Sequence, residues 1–547
     1  MAVTVRTGST ARPTTRRGQP QSLREIGVWA TAAGAVSTAV TLAVPHLNIG
    51  NDGYQYLGVA ENLLTGHGIT TDLPFFDVEQ SHGVLPAPFT TQPPGYPFAI
   101  AGLRLLGLPP VGAAVTVSVL AVALTVLVLG LATRTLQVPA RFARPALLAF
   151  AVNPFTLTFA GSVLSEALFT LLVTGTALGL VAAQRTVGHR RASVLAGVAL
   201  GLSVWVRYAG LFVVVGTAVG LTVLLLLRRD RRAAETLAIT VGVAAPLFGA
   251  LLLRNVVVAG SWRGGNTVSV DHPVGGLVLD TADALLHLVI GDASSLPARA
   301  AQAVLGLAAL VGLVVLVRRR PRPATGPVVL LGAVVAVYGV LMFEAGLVSV
   351  ISYGPRMFFP LLPTALLLLA LLAAATVPVV PAPRTAEPPR RGPRYAGATA
   401  VAAIGLLVGV LGVLTTSDPP PDAGVAQRLA APVAGGDTVP EWLDARLGPD
   451  EPVLAADGQA TGYVLRRPVV GLVESTFSDL RWNEDTVAAT MDRFDARYLV
   501  LYRHPQDGGG QVVEEETPFL RILLAGRPVA TLTPVAVSDE VLVLERR

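Results

Sequence analysis

Long apolar runs separated by short arginine-bearing segments dominate residues 26–416. About 20 apolar residues in a helix cross the hydrocarbon core of a bilayer. On that measure the pattern predicts eleven membrane-crossing helices, over 26–46, 110–133, 143–161, 163–183, 192–208, 209–227, 234–256, 299–317, 326–345, 356–376 and 396–416. The stretch 143–183 is long enough to pass for one helix, but Asn153-Pro154 and the polar Ser162, Ser165 and Glu166 predict two short helices meeting at a turn. Residues 1–25 form a polar tail predicted to be disordered, and 26–46 reads as a signal-anchor helix rather than a cleaved signal.

Two connections are much longer than the rest, 47–109 and 257–298. Within the first, Tyr54, Leu57, Ala60 and Leu64 recur at helical spacing, as do Phe98, Ala101, Leu105 and Leu106. These predict amphipathic helices, either at the membrane surface or packed on the bundle. Residues 417–435, with Pro419-Pro420-Pro421, read as a tether. Beyond them the period changes to short β-rich runs over 452–456, 463–465, 469–473, 498–502, 529–532 and 541–544. Helical stretches around 439–447, 483–494 and 517–525 alternate with these runs, which predicts a small α/β domain over 436–547. The fold class is thus an α-helical polytopic membrane protein of about eleven transmembrane helices with a small C-terminal α/β domain.

Composition agrees. Of 547 residues, 52% are hydrophobic and 14% charged, with a mean hydropathy of +0.60; soluble chains carry about 25% charged residues. The absence of cysteine excludes disulfides, thiolate metal sites and thiol nucleophiles. All 41 basic residues are arginine, which excludes P-loop and Schiff-base chemistry. Residues 1–416 carry 29 arginines against 15 acidic groups, and 417–547 carry 12 against 21, so the two parts are suited to different surroundings. Twenty-three of the 29 lie in the tail and in alternate loops, and six lie in the opposite loops. The positive-inside tendency then predicts a plasma-membrane protein with a cytoplasmic N-terminus. The long loops and the C-terminal domain are correspondingly expected to be extracytoplasmic. No internal repeat is visible in the membrane part, which argues against a transporter.

Few ionisable groups lie at the expected outer helix ends. Asp52 is placed either to cap the helix after it or to offer a carboxylate to an outer cavity, and the two roles are compatible. Glu166 opens an almost wholly apolar helix, where a carboxylate either favours the helix N-terminus or faces a functional site. Arg207, Arg254 and Arg356 depart from the arginine asymmetry. Each alone is explained by snorkelling to headgroups; together, opposite two carboxylates, they suit a phosphate. Arg263 and His272 in the second loop, and Asp72, Asp77, Glu79 and His82 in the first, are further candidates. Asp77, Glu79 and His82 have the residue types of a divalent-cation site, but such groups in a hydrophilic loop are ordinarily solvated, and no metal or other cofactor is expected.

Three stretches resemble a known family: Asp52-Gly53-Tyr54-Gln55-Tyr56, Ala60 through Gly68, and Pro93-Pro94-Gly95-Tyr96-Pro97. They are similar to the first outer loop of the GT-C superfamily of glycosyltransferases, in its protein mannosyltransferase and lipid A aminoarabinose transferase group. Asn153-Pro154 followed by Ser162 through Phe169, Arg207-Tyr208-Ala209-Gly210, and Arg356 through Pro363 resemble further signatures of that group. The likeness runs in order over about 26–375, while the C-terminal domain matches only in kind.

The resemblance implies a sugar transferase using a polyprenyl-phosphate-linked donor, inverting at the anomeric centre, with Asp52 as catalytic base and Glu166 in support. Arg207, Arg254 and Arg356 are the expected donor-phosphate ligands. Tyr54, Tyr56, Tyr96, Tyr208, Arg263, His272 and Tyr353 are the expected substrate contacts. The Asp-x-Asp motif of the oligosaccharyltransferase branch is absent from the first loop, so a metal-independent reaction is expected. The acceptor is expected among cell-envelope glycans, lipids or proteins, with the bilayer as a second partner and no nucleic acid. The rival reading is a non-catalytic lipid translocase or assembly protein; a translocase places ionisable groups near the bilayer midplane rather than at helix ends.

Overall fold

The computed structural model describes residues 19–43, 49–74, 83–184, 188–229, 231–265, 272–290, 325–348, 354–376, 423–472, 482–503, 518–525, 527 and 529–547. The helices of the apolar part are α1 (Leu23–Ala43), α2 (Gly50–Thr65), α3 (Gly95–Arg104), α4 (Pro110–Thr135), α5 (Ala140–Ala151), α6 (Pro154–Ala160) and α7 (Glu166–Ala183). They continue as α8 (His189–Val206), α9 (Gly210–Arg228), α10 (Arg231–Ala259), α11 (Val274–Ile290), α12 (Thr325–Leu347), α13 (Pro355–Phe358) and α14 (Leu362–Thr376).

Among the described residues seven helical stretches are long and apolar enough to cross a membrane: α1, α4, α7, α9, α10, α12 and the run Pro355–Ala375. The expected run 192–208 is α8, which adds to the bundle without meeting that measure. The expected spans 299–317 and 396–416 lie outside the described residues. The run 143–161 is not one span. Asn153 accepts hydrogen bonds from Phe155 N at 3.0 Å and Thr156 N at 3.4 Å and so starts a new helix, with Pro154 in its first turn. A cap followed by proline ends α5 after 12 residues and leaves α6 with 7. Some buried hydroxyls inside the bundle are satisfied locally; Thr125, Thr170 and Thr174 each donate to the carbonyl four residues back at 2.7 Å.

The amphipathic patterns of the first long loop become α2 and α3. Tyr54, Leu57 and Ala60 are buried on one face of α2, as the spacing predicts. In α3 the buried face is Tyr96, Pro97, Ile100 and Ala101, whereas Phe98, Leu105 and Leu106 are exposed, so of the apolar positions read at helical spacing only Ala101 packs on the bundle. Between α2 and α3 lies a two-residue hairpin, β1 (Thr70–Thr71) antiparallel to β2 (Ala87–Pro88).

The C-terminal domain is a five-stranded mixed sheet in the order β4-β3-β5-β7-β6, with β3 (Val453–Ala455), β4 (Val469–Gly471), β5 (Tyr498–Tyr502), β6 (Leu532–Val537) and β7 (Val541–Arg546). β3 is parallel to both β4 and β5, and β7 is antiparallel to β5 and β6. Its helices are α15 (Ala423–Leu429), α16 (Val439–Asp444), α17 (Gly458–Leu465), α18 (Glu484–Phe494) and α19 (Pro518–Leu524). Three expectations change here, one being that the run 529–532 meets β6 only at Leu532. Tyr463–Leu465 is the end of α17, because a crossover between parallel strands needs a helix. Part of the expected tether is α15, whose Val425 and Leu429, four residues apart, are buried.

The sheet is continued by the first long loop. Val469 N donates to Asp72 O and Gly471 N to Pro74 O, both at 2.9 Å, so residues 72–74 run along the outer edge of β4. The Leu73 carbonyl accepts from Gln55 Nε2 at 3.0 Å and from Gln459 Nε2 at 3.5 Å, and the Tyr54 and Tyr463 rings lie 5.3 Å apart. The domain is thereby fastened to α2.

Candidate active site

Asp52 is the third residue of α2, whose N-cap position is Ile49. Its carboxylate therefore does not cap the helix. Oδ2 accepts from Arg356 Nη2 at 3.0 Å and Oδ1 from Gln92 Nε2 at 2.7 Å. Glycine after it is required by close approach: a Cβ on Gly53 would stand 2.8 Å from the Val163 carbonyl, and this contact seats α2 against the chain entering α7.

Glu166 begins α7 and is buried. Its Oε1 accepts from Arg207 Nη1 at 2.8 Å and lies 3.2 Å from Arg356 Nε, an ion-pair contact. Arg207 Nη1 also donates to Ser165 Oγ at 3.1 Å. Two carboxylates and two guanidiniums, from four separate elements, thus form one network whose formal charges cancel. Side-chain exposure is 1% at Glu166, 18% at Arg207, 30% at Asp52 and 35% at Arg356. Glu166 is the floor of the cluster, and Asp52 with Arg356 is its open side.

Around the network the scaffold is aromatic. Tyr56 and Ser165 hydroxyls are 3.3 Å apart, and Tyr56 meets Tyr96 edge-on at 5.2 Å. Burial, reinforced by the Asp52 charge, holds the Tyr56 hydroxyl well above the usual tyrosine range, so it stays protonated. Tyr96 OH donates to Ala114 O at 3.0 Å and lies 3.0 Å from Ser118 Oγ.

The expected site residues therefore divide. Asp52, Glu166, Arg207 and Arg356 come together. Tyr54, Tyr56 and Tyr96, expected at the substrate, are buried in the packing, because aromatic side chains this large fill the join between α2, α3 and their neighbours. Arg254, expected at the donor phosphate, donates instead to Phe89 O at 2.9 Å and Ile69 O at 3.0 Å, clamping the β1–β2 hairpin. Tyr208 OH donates to Thr90 O at 2.9 Å and accepts from Asn255 Nδ2 at 2.8 Å. Arg263 is exposed over the Trp262 ring, and His272 is exposed with its backbone N–H on Leu347 O at 2.9 Å. Tyr353, Asp77, Glu79 and His82 lie outside the described residues. Among the described residues no three acidic or histidine side chains gather as a metal site.

Gln92 and Ser165 touch the network and are not among the site residues the sequence predicts. Each left a signal: Gln92 stands directly before Pro93-Pro94, and Ser165 directly before the helix-opening Glu166. Two buried acceptors, Gln92 Oε1 and Glu166 Oε2, have no hydrogen-bond partner among the described residues.

No protein-family profile matches the sequence, and no curated protein matches it. Solved structures do match. ArnT from Cupriavidus metallidurans in the apo state has 15% identity and a TM-score of 0.55, over 94% of this chain and 97% of that one. The same protein bound to undecaprenyl phosphate has 16% identity and a TM-score of 0.55 over the same shares, 94% and 97%. The archaeal oligosaccharyltransferase AglB from Archaeoglobus fulgidus is more distant, at 12% identity and a TM-score of 0.46, over 87% of this chain and 69% of that one. At 15–16% identity the likeness shows the fold: the chain has the fold of ArnT, in agreement with the resemblance read from the first loop.

Proposed function

We propose that this chain is a membrane glycosyltransferase that moves a sugar from a polyprenyl-phosphate carrier to a hydroxyl on the extracytoplasmic side. The observation that carries this reading is the half-open Asp52 carboxylate, held between Gln92 and Arg356 above the Glu166–Arg207 pair. ArnT, whose fold the chain shares, is known bound to undecaprenyl phosphate, and that supports a lipid-linked donor.

In the proposed reaction the acceptor oxygen attacks the anomeric carbon, its proton passes to Asp52, and the bond from that carbon to the phosphate oxygen breaks. Polyprenyl phosphate leaves with the bonding electrons, and the configuration inverts in the single displacement. General-base assistance of this kind contributes about 10²–10⁴-fold. Arg356 and Arg207 neutralise the charge growing on the phosphate. They supply the positive charge themselves, which supports a reaction without a metal. Arg254 acts differently in this reading: by clamping the hairpin it fixes the loop that carries Gln92. The arginine asymmetry supports a cytoplasmic N-terminus, about eleven crossings and an extracytoplasmic C-terminal domain.

The test is transfer of labelled sugar from a panel of polyprenyl-phosphate donors in membranes carrying wild type or Asp52→Asn at equal abundance. Transfer by wild type, with a fall of about 10²-fold or more in the variant, supports the reading. Equal transfer by both removes Asp52 as the base. No transfer by wild type from any donor, with membrane acceptors present, overturns the transferase itself.

A further inference from the structure

The carboxamide of Gln92 is used on one side only. Nε2 donates to Asp52 Oδ1 at 2.7 Å, while Oε1 is buried with no hydrogen-bond partner among the described residues. The two atoms belong to one rigid planar group, so seating the nitrogen on Asp52 also aims the oxygen. The backbone beneath is pinned on both sides. Thr90 O accepts from Tyr208 OH at 2.9 Å, and Pro93-Pro94 leads into Gly95, where a Cβ would stand 2.5 Å from Trp205 O. A buried acceptor without a partner is costly, and a substrate donor relieves that cost.

We propose that Gln92 is a positioning residue that orients the Asp52 carboxylate through Nε2 and accepts through Oε1 a hydrogen bond from a second hydroxyl beside the reacting one. The acceptor is then a sugar offering a vicinal diol: one hydroxyl gives its proton to Asp52 and its neighbour rests on Gln92. Glu166 Oε2, the other buried acceptor without a partner, makes the same cluster a place for hydroxyl donors. This inference rests on the glycosyltransferase reading. The charged and titratable groups facing Asp52 are Arg356 from α13, Glu166 from α7, Arg207 after α8 and Tyr56 on its own helix. They remain unchanged in the variants below.

Two variants separate the two halves. Gln92→Met removes both polar atoms, and Gln92→Glu keeps an acceptor oxygen while placing a second carboxylate beside Asp52. With transfer measured to methyl glycosides and to analogues lacking the hydroxyl next to the reacting one, wild type and Gln92→Glu are expected to prefer the full diol by about tenfold. Gln92→Met is expected to show no preference. Transfer to the analogue lacking the neighbouring hydroxyl reads the Asp52 contact alone, and its kcat is expected to fall about tenfold in both variants with the acceptor KM unchanged. A merely structural role lowers the rates for both acceptors alike and leaves the diol preference in Gln92→Met.

Saturation-transfer NMR of the same glycosides on wild type and Gln92→Met, with no donor present, reads the diol contact apart from transfer. Preferential diol binding by wild type, lost in Gln92→Met, is expected even where no sugar is transferred. An unchanged kcat for the analogue in both variants overturns the positioning role. Equal diol preference in wild type and Gln92→Met, or transfer by wild type to membrane acceptors but to no glycoside, overturns the diol acceptor.

Discussion

Arg356 Nη2 and Asp52 Oδ2 lie 3.0 Å apart although 304 residues separate them in the chain. The pair joins the start of α13 to the first turn of α2 and occupies one oxygen of the proposed base. An arriving phosphate competes for the same guanidinium, so donor binding and release of Asp52 are expected to be coupled. Arg356→Gln should therefore raise the donor KM and lower kcat together, with kcat/KM falling about 10²-fold or more. Arg356→Lys should recover part of the donor affinity but little turnover, because a point charge cannot span Asp52 and Glu166 as the planar fork does. Single-turnover transfer with separately measured donor binding checks this; unchanged donor affinity in Arg356→Gln would remove Arg356 from the phosphate site.

Glu166 is the structural keystone of the network. Replacing it by glutamine leaves Arg207 and Arg356 without their buried counter-charge, and breaking a buried pair costs about 3–5 kcal/mol. Glu166→Gln is expected to lower the thermal midpoint in detergent sharply. Adding Arg207→Met should restore part of it, because the second change removes one of the stranded charges. Equal midpoints for the single variant and wild type would show that the pair is not coupled to folding.

The sequence made the bundle legible wherever one physical rule dominated. Apolar length alone located α1, α4, α7, α9, α10 and α12, and arginine asymmetry isolated Arg207 and Arg356 as exceptions. It was less informative where neighbours decide. The period of α3 is helical, but whether its apolar positions face the bundle or the membrane surface depends on neighbours, and Phe98 is exposed while Ala101 is buried. Tyr463–Leu465 is too short an apolar run to distinguish strand from helix by period, and the parallel pairing of β3 with β4 settled it. Arg254 shared its residue type and place in the chain with Arg207, yet its hydrogen bonds go to backbone carbonyls, a partner no side-chain pattern reveals.

Asp72 gives the join between the first loop and the C-terminal domain a pH dependence. Burial pushes its carboxyl above the ordinary value, even though a hydrogen bond from Asn62 opposes this. A raised acid binds its proton more tightly in the docked state. The contact is therefore unpenalised below the ordinary value of 3.8 and weakens as pH rises through the raised one. Asp72→Asn cannot ionise, so it should flatten the profile and tighten docking at neutral pH. Limited proteolysis of the C-terminal domain across pH 4–7 is the measurement. A rate that rises with pH in wild type and stays level in Asp72→Asn is expected, and parallel profiles would remove Asp72 from the account.

The Leu73 carbonyl, shared by Gln55 and Gln459, ties the C-terminal domain to the helix carrying Asp52, so a disturbance at the join should reach the base. Gly462 is the place to apply it, because a Cβ there would stand 2.2 Å from Leu73 Cδ2 and 3.0 Å from Val469 Cβ. Gly462→Val displaces the buried Leu73 side chain and crowds Val469, and the strain is expected to loosen the backbone bonds to Asp72 and Pro74. Turnover is expected to fall about tenfold through misplacement of Asp52, a larger change than in donor affinity, because the Glu166–Arg207 pair comes from other elements. Proteolysis at the join should rise in parallel. Gly102→Ala is the control: it lies in α3 with nothing within 4 Å of an added Cβ and should alter neither readout. Full turnover in Gly462→Val, with proteolysis plainly raised, would show that the domain rests on α2 without positioning it.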